Sequence, residues 1–351
     1  MSILLVLISL ILPTSLWAAP RFEELHKISD SVWGLDFLAD GRVIFTAREG
    51  KMSVLDLKTK KTTDVTGLPK IYVAGQGGLL DVRVGPDQFI YFTYSEPHKA
   101  GSTTALMKAK LDGNKLTENK LLFSGKSPND NDIHFGSRIE FDDKGHVFFT
   151  MGDRNDRDKA QVLNYHMGKV LRLKLDGSTP SDNPFVGKKD ALPEIWSLGH
   201  RSPQGLVRHP VTGDLWEAEM GPRGGDEINL IKAGANYGWP KATYGKEYWG
   251  PSIGDNKVNG TVQPQVYWVP SISPSAITFY TGDKYPQWKH SLFVATLSGE
   301  HVRRLTLDGE RITGQEELLA KMGRRWRVVR TGPDGELYLA SDEGHIGRLL
   351  P

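Results

Sequence analysis

The sequence predicts an all-β fold, a six-bladed β-propeller. Three observations carry that prediction. Short alternating apolar runs recur with Gly and Asp at their turns, the pattern of antiparallel hairpins. Six such units begin near Gly34, Leu79, Ser137, Gly205, Ala276 and Val328, at intervals of 45, 58, 68, 71 and 52 residues, the repeat size of propeller blades. Long helical periodicities are scarce, so the sheets must cover one another rather than be covered by helices.

The elements follow in chain order. Residues 1–19, MSILLVLISLILPTSLWAA, read as a secretory signal peptide, with an almost unbroken apolar run at 3–12, Pro13, and small residues at Ala18 and Ala19. No Lys or Arg opens the segment, and Leu16 stands three residues before a cut at Ala18, so the match is incomplete. The run is shorter than the ~20 residues that span a bilayer. The mature chain, 20–351, is therefore expected to be a single propeller domain in the periplasm or secreted, with no stable membrane span.

Residues 21–28 offer a strand that closes the last blade against the first. Hairpins then follow at 35–39 and 43–47, 80–84 and 89–94, 138–141 and 146–150, 206–208 and 214–218, and 328–331 and 336–340. Third strands fit 54–57, 105–111, 170–175 and 345–350, while 276–281, 292–297 and 302–307 complete the fifth unit. The unequal intervals reflect insertions around 99–103, 126–135, 153–167 and 239–266. Insertions on one rim are where a propeller places its site.

Composition narrows the chemistry. The chain has 351 residues, 44 Lys plus Arg against 42 Asp plus Glu, and 38% hydrophobic residues. This is a folded, nearly neutral protein with no bulk charge for nucleic acid or membrane surfaces. Cysteine is absent, which excludes disulfides, thiolate nucleophiles and cysteine-ligated metals. Any metal must be held by oxygen or histidine. No HExxH, P-loop or GxSxG motif occurs, and Leu80 stands where the last glycine of a GxGxxG beginning at Gly75 would be.

The polar clusters sit at the blade boundaries. His134 precedes the third inner strand and Asp153 ends its hairpin partner, so the carboxylate can reach the imidazole, fix its tautomer and stabilise an imidazolium. Alone, His134 reads first as a structural hydrogen-bonding residue; the adjacent Asp153 and the clusters that follow reverse that reading. The run Asp153 to Asp158 lacks the glycine of a calcium loop and reads as solvated loop, Asp153 excepted. Arg201 precedes the fourth inner strand, where a guanidinium can stabilise oxyanion charge or simply form an ion pair. The stretch 219–229, EMGPRGGDEIN, offers exposed carbonyls and the carboxylates of Asp226 and Glu227, a hard-cation environment or an acidic turn. Arg325 and Arg327 alternate on one side of a strand and together can grip a polycarboxylate.

These blocks are similar to the family of soluble pyrroloquinoline-quinone-dependent glucose and aldose sugar dehydrogenases. The matching stretches are GQGGLLDV at 75–82, IHFGSRIEFD at 133–142, TMGDR at 150–154, HRSPQGL at 200–206, GPRGGDEINLIKAGANYGWP at 221–240 and RRWRVVRTGPDG at 324–335. They cover nearly the whole mature chain in order. The resemblance implies an exported six-bladed propeller that oxidises aldoses at C1 to lactones with pyrroloquinoline quinone and Ca2+. It implies His134 as general base, Asp153 as its orienting carboxylate and Arg201 against the quinone oxygen that gains charge. Gly221 and Pro222 would give carbonyls to the cofactor's calcium, and Gln76, Arg325 and Arg327 would contact the quinone. Glu227 and the Tyr237 carbonyl would belong to a second, structural calcium site.

Two positions depart from the family's glucose enzyme: Ser202 replaces an asparagine, and Ser298 falls at a cofactor-contacting lysine in an ungapped match. Serine cannot supply the lost ammonium charge, so quinone affinity or substrate range is expected to differ. Tyr244, Tyr248 and Trp249 are candidates for a sugar-facing wall. Turnover also requires a separate electron acceptor, which no motif identifies. The competing readings are a dehydrogenase of sorbosone-like aldehydes and a noncatalytic extracellular propeller that binds a glycan or protein. In the noncatalytic case His134, Asp153, Arg201 and the Arg325/Arg327 pair would not converge.

Overall fold

The computed structural model describes residues 20–126 and 129–351; the segment 1–19, read above as a signal peptide, lies outside the described residues. Six four-stranded antiparallel sheets are arranged in a ring. Blade 1 runs outward from its inner strand Val32–Phe37 through Val43–Ala47 and Lys51–Leu55 to Thr62–Val65. The inner strands of blades 2 to 6 are Leu79–Val84, Gly136–Phe141, Pro203–Arg208, Pro274–Phe279 and Trp326–Thr331. Blade 6 takes its outermost strand from the start of the fold: Arg21–Lys27 pairs antiparallel with His345–Leu350. That closure stitches the two ends of the domain into one sheet.

Burial explains why the ring holds. The apolar clusters lie between blades rather than within them. Ile44 and Val54 of blade 1 pack with Phe92 and Met107 of blade 2, and Trp216 of blade 4 packs with Phe279 and Val294 of blade 5. Each sheet thus hides both faces against its neighbours. Among the described residues, no helix is long and apolar enough to cross a membrane.

The outermost strands are the part the hydrophobic pattern does not announce. Thr62–Val65, Lys115–Ser124 and Arg311–Leu318 are largely solvent-exposed, so they lack the apolar alternation that marks their inner neighbours. The segment expected as an insertion at 99–103 is instead the tip of a long hairpin, with Glu96 opposite Thr103 and His98 opposite Gly101. Strand pairing carried by β-branched threonines extends the sheet there.

All six inner strands break register at their first residues, between Val32 and Gly34, Leu79 and Val82, Gly136 and Ile139, Pro203 and Gly205, Pro274 and Ala276, and Trp326 and Val328. The regular alternation begins only after these bulges, which is why the sequence pattern starts at Gly34, Gly205, Ala276 and Val328. A bulge leaves backbone groups without ladder partners. Here they turn to the axis, where Arg138 of blade 3 gathers them. Its guanidinium donates to the carbonyls of Trp33, Gln204, Ser275 and Arg327 at 2.7–3.1 Å and to Asp81 Oδ1 at 3.0 Å. One buried side chain therefore binds groups from the other five blades.

Candidate active site

Above that hub the inner strands begin, and around their starts lies a cavity of about 500 Å³. Of the residues singled out in the sequence, Gln76, His134, Arg201, Gly221, Pro222, Arg325 and Arg327 line it. They come from four blade boundaries and from the turn between the second and third strands of blade 4, and the condition for preferring a noncatalytic propeller, failure to converge, is not met. Asp153 stands behind His134, 1% exposed. Glu227 and Tyr237 line a small adjoining cavity of about 10 Å³ that Arg201 and Gly221 also border.

His134 is held in a narrow geometry. Its backbone is left-handed, φ 54°, and its N–H donates to Gln76 Oε1 at 2.8 Å. A β-carbon at Gly152 would lie 2.1 Å from its carbonyl oxygen, so only glycine lets the hairpin end pass this close. The ring Nδ1 lies 2.7 Å from Asp153 Oδ1. Asp153 accepts further N–H groups from Asn155 at 2.8 Å and from the Trp239 indole at 2.7 Å. With Nδ1 bound to the carboxylate, Nε2 is the ring nitrogen left for the cavity.

The electrostatics keep this pair in the form a base requires. Burial, opposed by the Asp153 hydrogen bond and reinforced by the Arg201 charge, holds His134 below the ordinary imidazole value of 6.5. For Asp153 burial favours the neutral acid, but the hydrogen bond and charge of His134, with Arg201, keep the carboxyl below its usual range. Arg201 is fixed by its own N–H on Glu219 Oε2 at 2.6 Å and by Nη1 on the carbonyls of Met220 and Gly221 at 2.9 and 2.8 Å.

The cavity is cationic. Arg48, Arg201, Arg325 and Arg327 line it against the single carboxylate Asp342. Asp342 accepts Arg327 Nε at 2.8 Å and Arg325 Nε at 3.1 Å, which aligns the two guanidiniums. Arg327 also lies over the Trp33 ring, 4.2 Å from its centroid. The surplus of guanidiniums and the adjacent aromatic face fit a planar polycarboxylate such as pyrroloquinoline quinone.

The oxygen donors fit hard cations at two places. The Gly221 and Pro222 backbone borders the main cavity, and although the Gly221 carbonyl accepts Arg201, a carbonyl retains a second lone pair. Around the small cavity the buried carboxylates outnumber their donors. Asn229 Nδ2 faces all three of Glu217, Glu219 and Glu227, at 3.1–3.4 Å, and the Arg201 N–H adds one donor on Glu219. Burial, followed by the like charge of Glu219, pushes the Glu217 and Glu227 carboxyls well up. Ligand atoms of His200, Glu217 and Glu219 fall within 4.8 Å of one another. Such an excess of buried oxygen charge suits a calcium-sized cation.

Several expectations are revised. Asp226 is not a free ligand: it accepts the N–H groups of Gly221, Ile272 and Ser273 at 2.7–2.9 Å and so organises the turn. Arg154 is not in a solvated loop. It is fully buried, stacked 3.7 Å over Phe135, because backbone carbonyls of Ser102 and Ile133 take up its donors. Ser202 borders the cavity, whereas Ser298 bonds to Ser273 Oγ at 2.8 Å just behind its wall. Tyr248 reaches the cavity mouth, while Tyr244 stacks on Tyr267 with centroids 3.7 Å apart. Sequence reasoning gave no role to Arg48, Asp342, Glu219, His200 or Trp239, although Glu219 opens the stretch 219–229, His200 the block at 200–206, and Trp239 lies in the motif NYGWP at 236–240.

Comparison with known proteins identifies the family. A family model described as glucose / sorbosone dehydrogenase matches residues 29–350. Aldose sugar dehydrogenase YliI of Escherichia coli (strain K12) is 40% identical over 353 residues, covering 97% of this chain and 95% of that protein. The crystal structure of the soluble Escherichia coli aldose sugar dehydrogenase in its apo form matches with a TM-score of 0.93 and 38% identity, covering 95% of this chain and all of that one. The PQQ-bound form of the Streptomyces coelicolor aldose sugar dehydrogenase matches with a TM-score of 0.79 and 27% identity over 94% of this chain and 97% of its own. The chain is thus a member of the glucose/sorbosone dehydrogenase family, and an oxidoreductase.

Proposed function

We propose that this protein oxidises an aldose at its anomeric carbon, C1, to the lactone, with pyrroloquinoline quinone as acceptor beside a calcium ion. One observation carries the reading: His134 is paired through Nδ1 with a buried carboxylate, leaving Nε2 for a cavity rich in guanidinium groups. Gln76, Arg201, Arg325 and Arg327 would hold the quinone, the Gly221 and Pro222 carbonyls its calcium, and Glu227 with the Tyr237 carbonyl a second, structural calcium. When bound, the quinone accepts the C1 hydride and the calcium acts as Lewis acid.

The chain's own residues supply the rest. His134 Nε2 removes the C1 hydroxyl proton, which lets the C1–O bond gain carbonyl character. Asp153 stabilises the imidazolium so formed. Arg201 presents fixed positive charge to the developing oxyanion without changing protonation state. Repeated turnover would need a separate electron acceptor to take the two electrons from the bound quinone. The same proposal places the reaction in the periplasm or outside the cell, on the strength of the apolar segment at 3–12.

Anaerobic titration of the metal-depleted protein with pyrroloquinoline quinone and calcium, followed by D-glucose, tests this reading. The quinone absorbance should change on binding and again on sugar addition. His134→Ala should bind the quinone but reduce it at least ~100-fold more slowly. Turnover at the wild-type rate in that variant removes His134 as the base, and no spectral response to any aldose removes the function.

A further inference from the structure

Asp153 has two oxygens, and His134 uses only one. Oδ1 meets His134 Nδ1 and the Asn155 N–H; Oδ2 meets the Trp239 indole Nε1 at 2.7 Å. Trp239 is 5% exposed, and its indole has no second donor to offer. Its backbone is pinned on both sides: the N–H donates to the Gly199 carbonyl at 2.9 Å, and the carbonyl accepts Gln161 Nε2 at 2.7 Å. The indole therefore stands where three segments meet, 153–161 after the third blade's hairpin, 199–201 before the fourth inner strand, and 236–240.

Two guanidiniums lie near the same ring, Arg201 at 5.5 Å and Arg157 at 5.7 Å from its centroid. Either, bonded to Oδ2, would cancel much of the charge that Asp153 offers an imidazolium. A neutral N–H orients the carboxylate without cancelling that charge. The indole bulk meanwhile leaves Arg201 bonded to the Met220 and Gly221 carbonyls on the cavity side. The other charged groups near the pair are Arg154, beside Asp153, and Arg48, Arg325, Arg327 and Asp342 across the cavity.

We propose that Trp239 is the positioning residue of the His134–Asp153 pair: its indole N–H clamps the second oxygen of Asp153, which fixes the tautomer of His134 and keeps Arg201 out of the pair. This rests on the proposed role of His134 as base.

The test uses protein reconstituted with pyrroloquinoline quinone and calcium. Trp239→Phe should lower kcat about tenfold with KM within about twofold, the scale of one lost charge-assisted hydrogen bond. The acid limb of its kcat/KM profile should move to lower pH, because a carboxylate freed to turn from the ring, or drawn towards Arg201, offers the imidazolium less negative charge. Site-specific benzothienylalanine at position 239 keeps the ring shape without the N–H; it should behave alike and serves if Trp239→Phe does not fold. Wild-type kcat in the folded variant, or a fall in kcat with the acid limb unmoved, overturns the proposal. Nitrogen-15 spectra of His134 in the cofactor-free proteins provide a readout independent of turnover. The wild type should show one tautomer, protonated at Nδ1, and the variants a mixture; identical spectra overturn the assignment even if the wild type proves inactive on sugars.

Discussion

At the scale of single residues, three buried carboxylates crowd one amide, that of Asn229. Glu217 and Glu227, with carboxyls raised above the ordinary 4.5 by burial and then by Glu219, bind protons more tightly folded than unfolded. Their contribution to stability is therefore full below 4.5 and is lost as pH rises through the folded values. The metal-depleted protein should melt at progressively lower temperature as pH climbs above 4.5, and calcium should flatten that dependence by supplying the missing positive charge. Glu227→Gln should weaken both the pH dependence and the calcium response. Thermal melts across pH with calcium or with chelator check this, and a flat profile in chelator contradicts it. The sequence displayed Glu227 beside a glycine-rich turn. Glu219 opened that stretch without being assigned a role, and Glu217 lies in an ordinary alternating strand; the two join Glu227 in a cluster only when the neighbouring strand Asp226–Ile231 pairs with it.

At the scale of elements, the bulged starts of the inner strands are supported by a recurring threonine. Thr46, Thr93 and Thr150 each accept an N–H from their own inner strand, at Gly34, Asp81 and Arg138, twelve residues earlier in every case. Each then donates to a carbonyl of the next blade: Leu80, Ser137 and Pro203. One hydroxyl thus satisfies a displaced group in its own blade and ties it to the neighbour. Thr150→Val keeps the shape and loses both bonds, leaving the Arg138 N–H and the Pro203 carbonyl buried and unpaired. The variant should be destabilised by about 2 kcal/mol, read from its denaturant midpoint; an unchanged midpoint contradicts the role. The twelve-residue spacing was present in the sequence, but its meaning depends on a bulge, and a bulge leaves no hydrophobic signature. The exposed outer strands were illegible for a related reason, since a strand with one wet face and little apolar content resembles a loop.

At the scale of the whole molecule, Arg138 ties the ring together at its axis. It is 5% exposed, and its partner Asp81 is 2% exposed. Removing the guanidinium leaves four buried carbonyls without that donor and the Asp81 carboxylate with the Ile139 N–H but without its cationic partner, so Arg138→Met should cost about 3–5 kcal/mol. Asp81→Asn added to that variant should recover part of the loss, because it removes the uncompensated charge; full additivity of the two substitutions in chemical denaturation would contradict the coupling. Arg138 also donates to the carbonyl of Arg327, so the residue that centres the ring helps to seat an arginine of the cavity.

The sequence by itself determined the all-β class, six repeats of blade size, the closing strand at 21–28, and the rim placement of His134, Asp153, Arg201 and the Arg325/Arg327 pair. These follow from local alternation, turn chemistry and motif order, all of which are properties of short stretches of chain. Only the tertiary structure decided that Asp226 organises a turn, that Arg154 is buried, that Arg48 and Asp342 share the cavity, and that Trp239 reaches Asp153 across 86 residues. Burial and hydrogen-bond partnership across a ring depend on which distant segments close upon one another, and no short stretch carries that information.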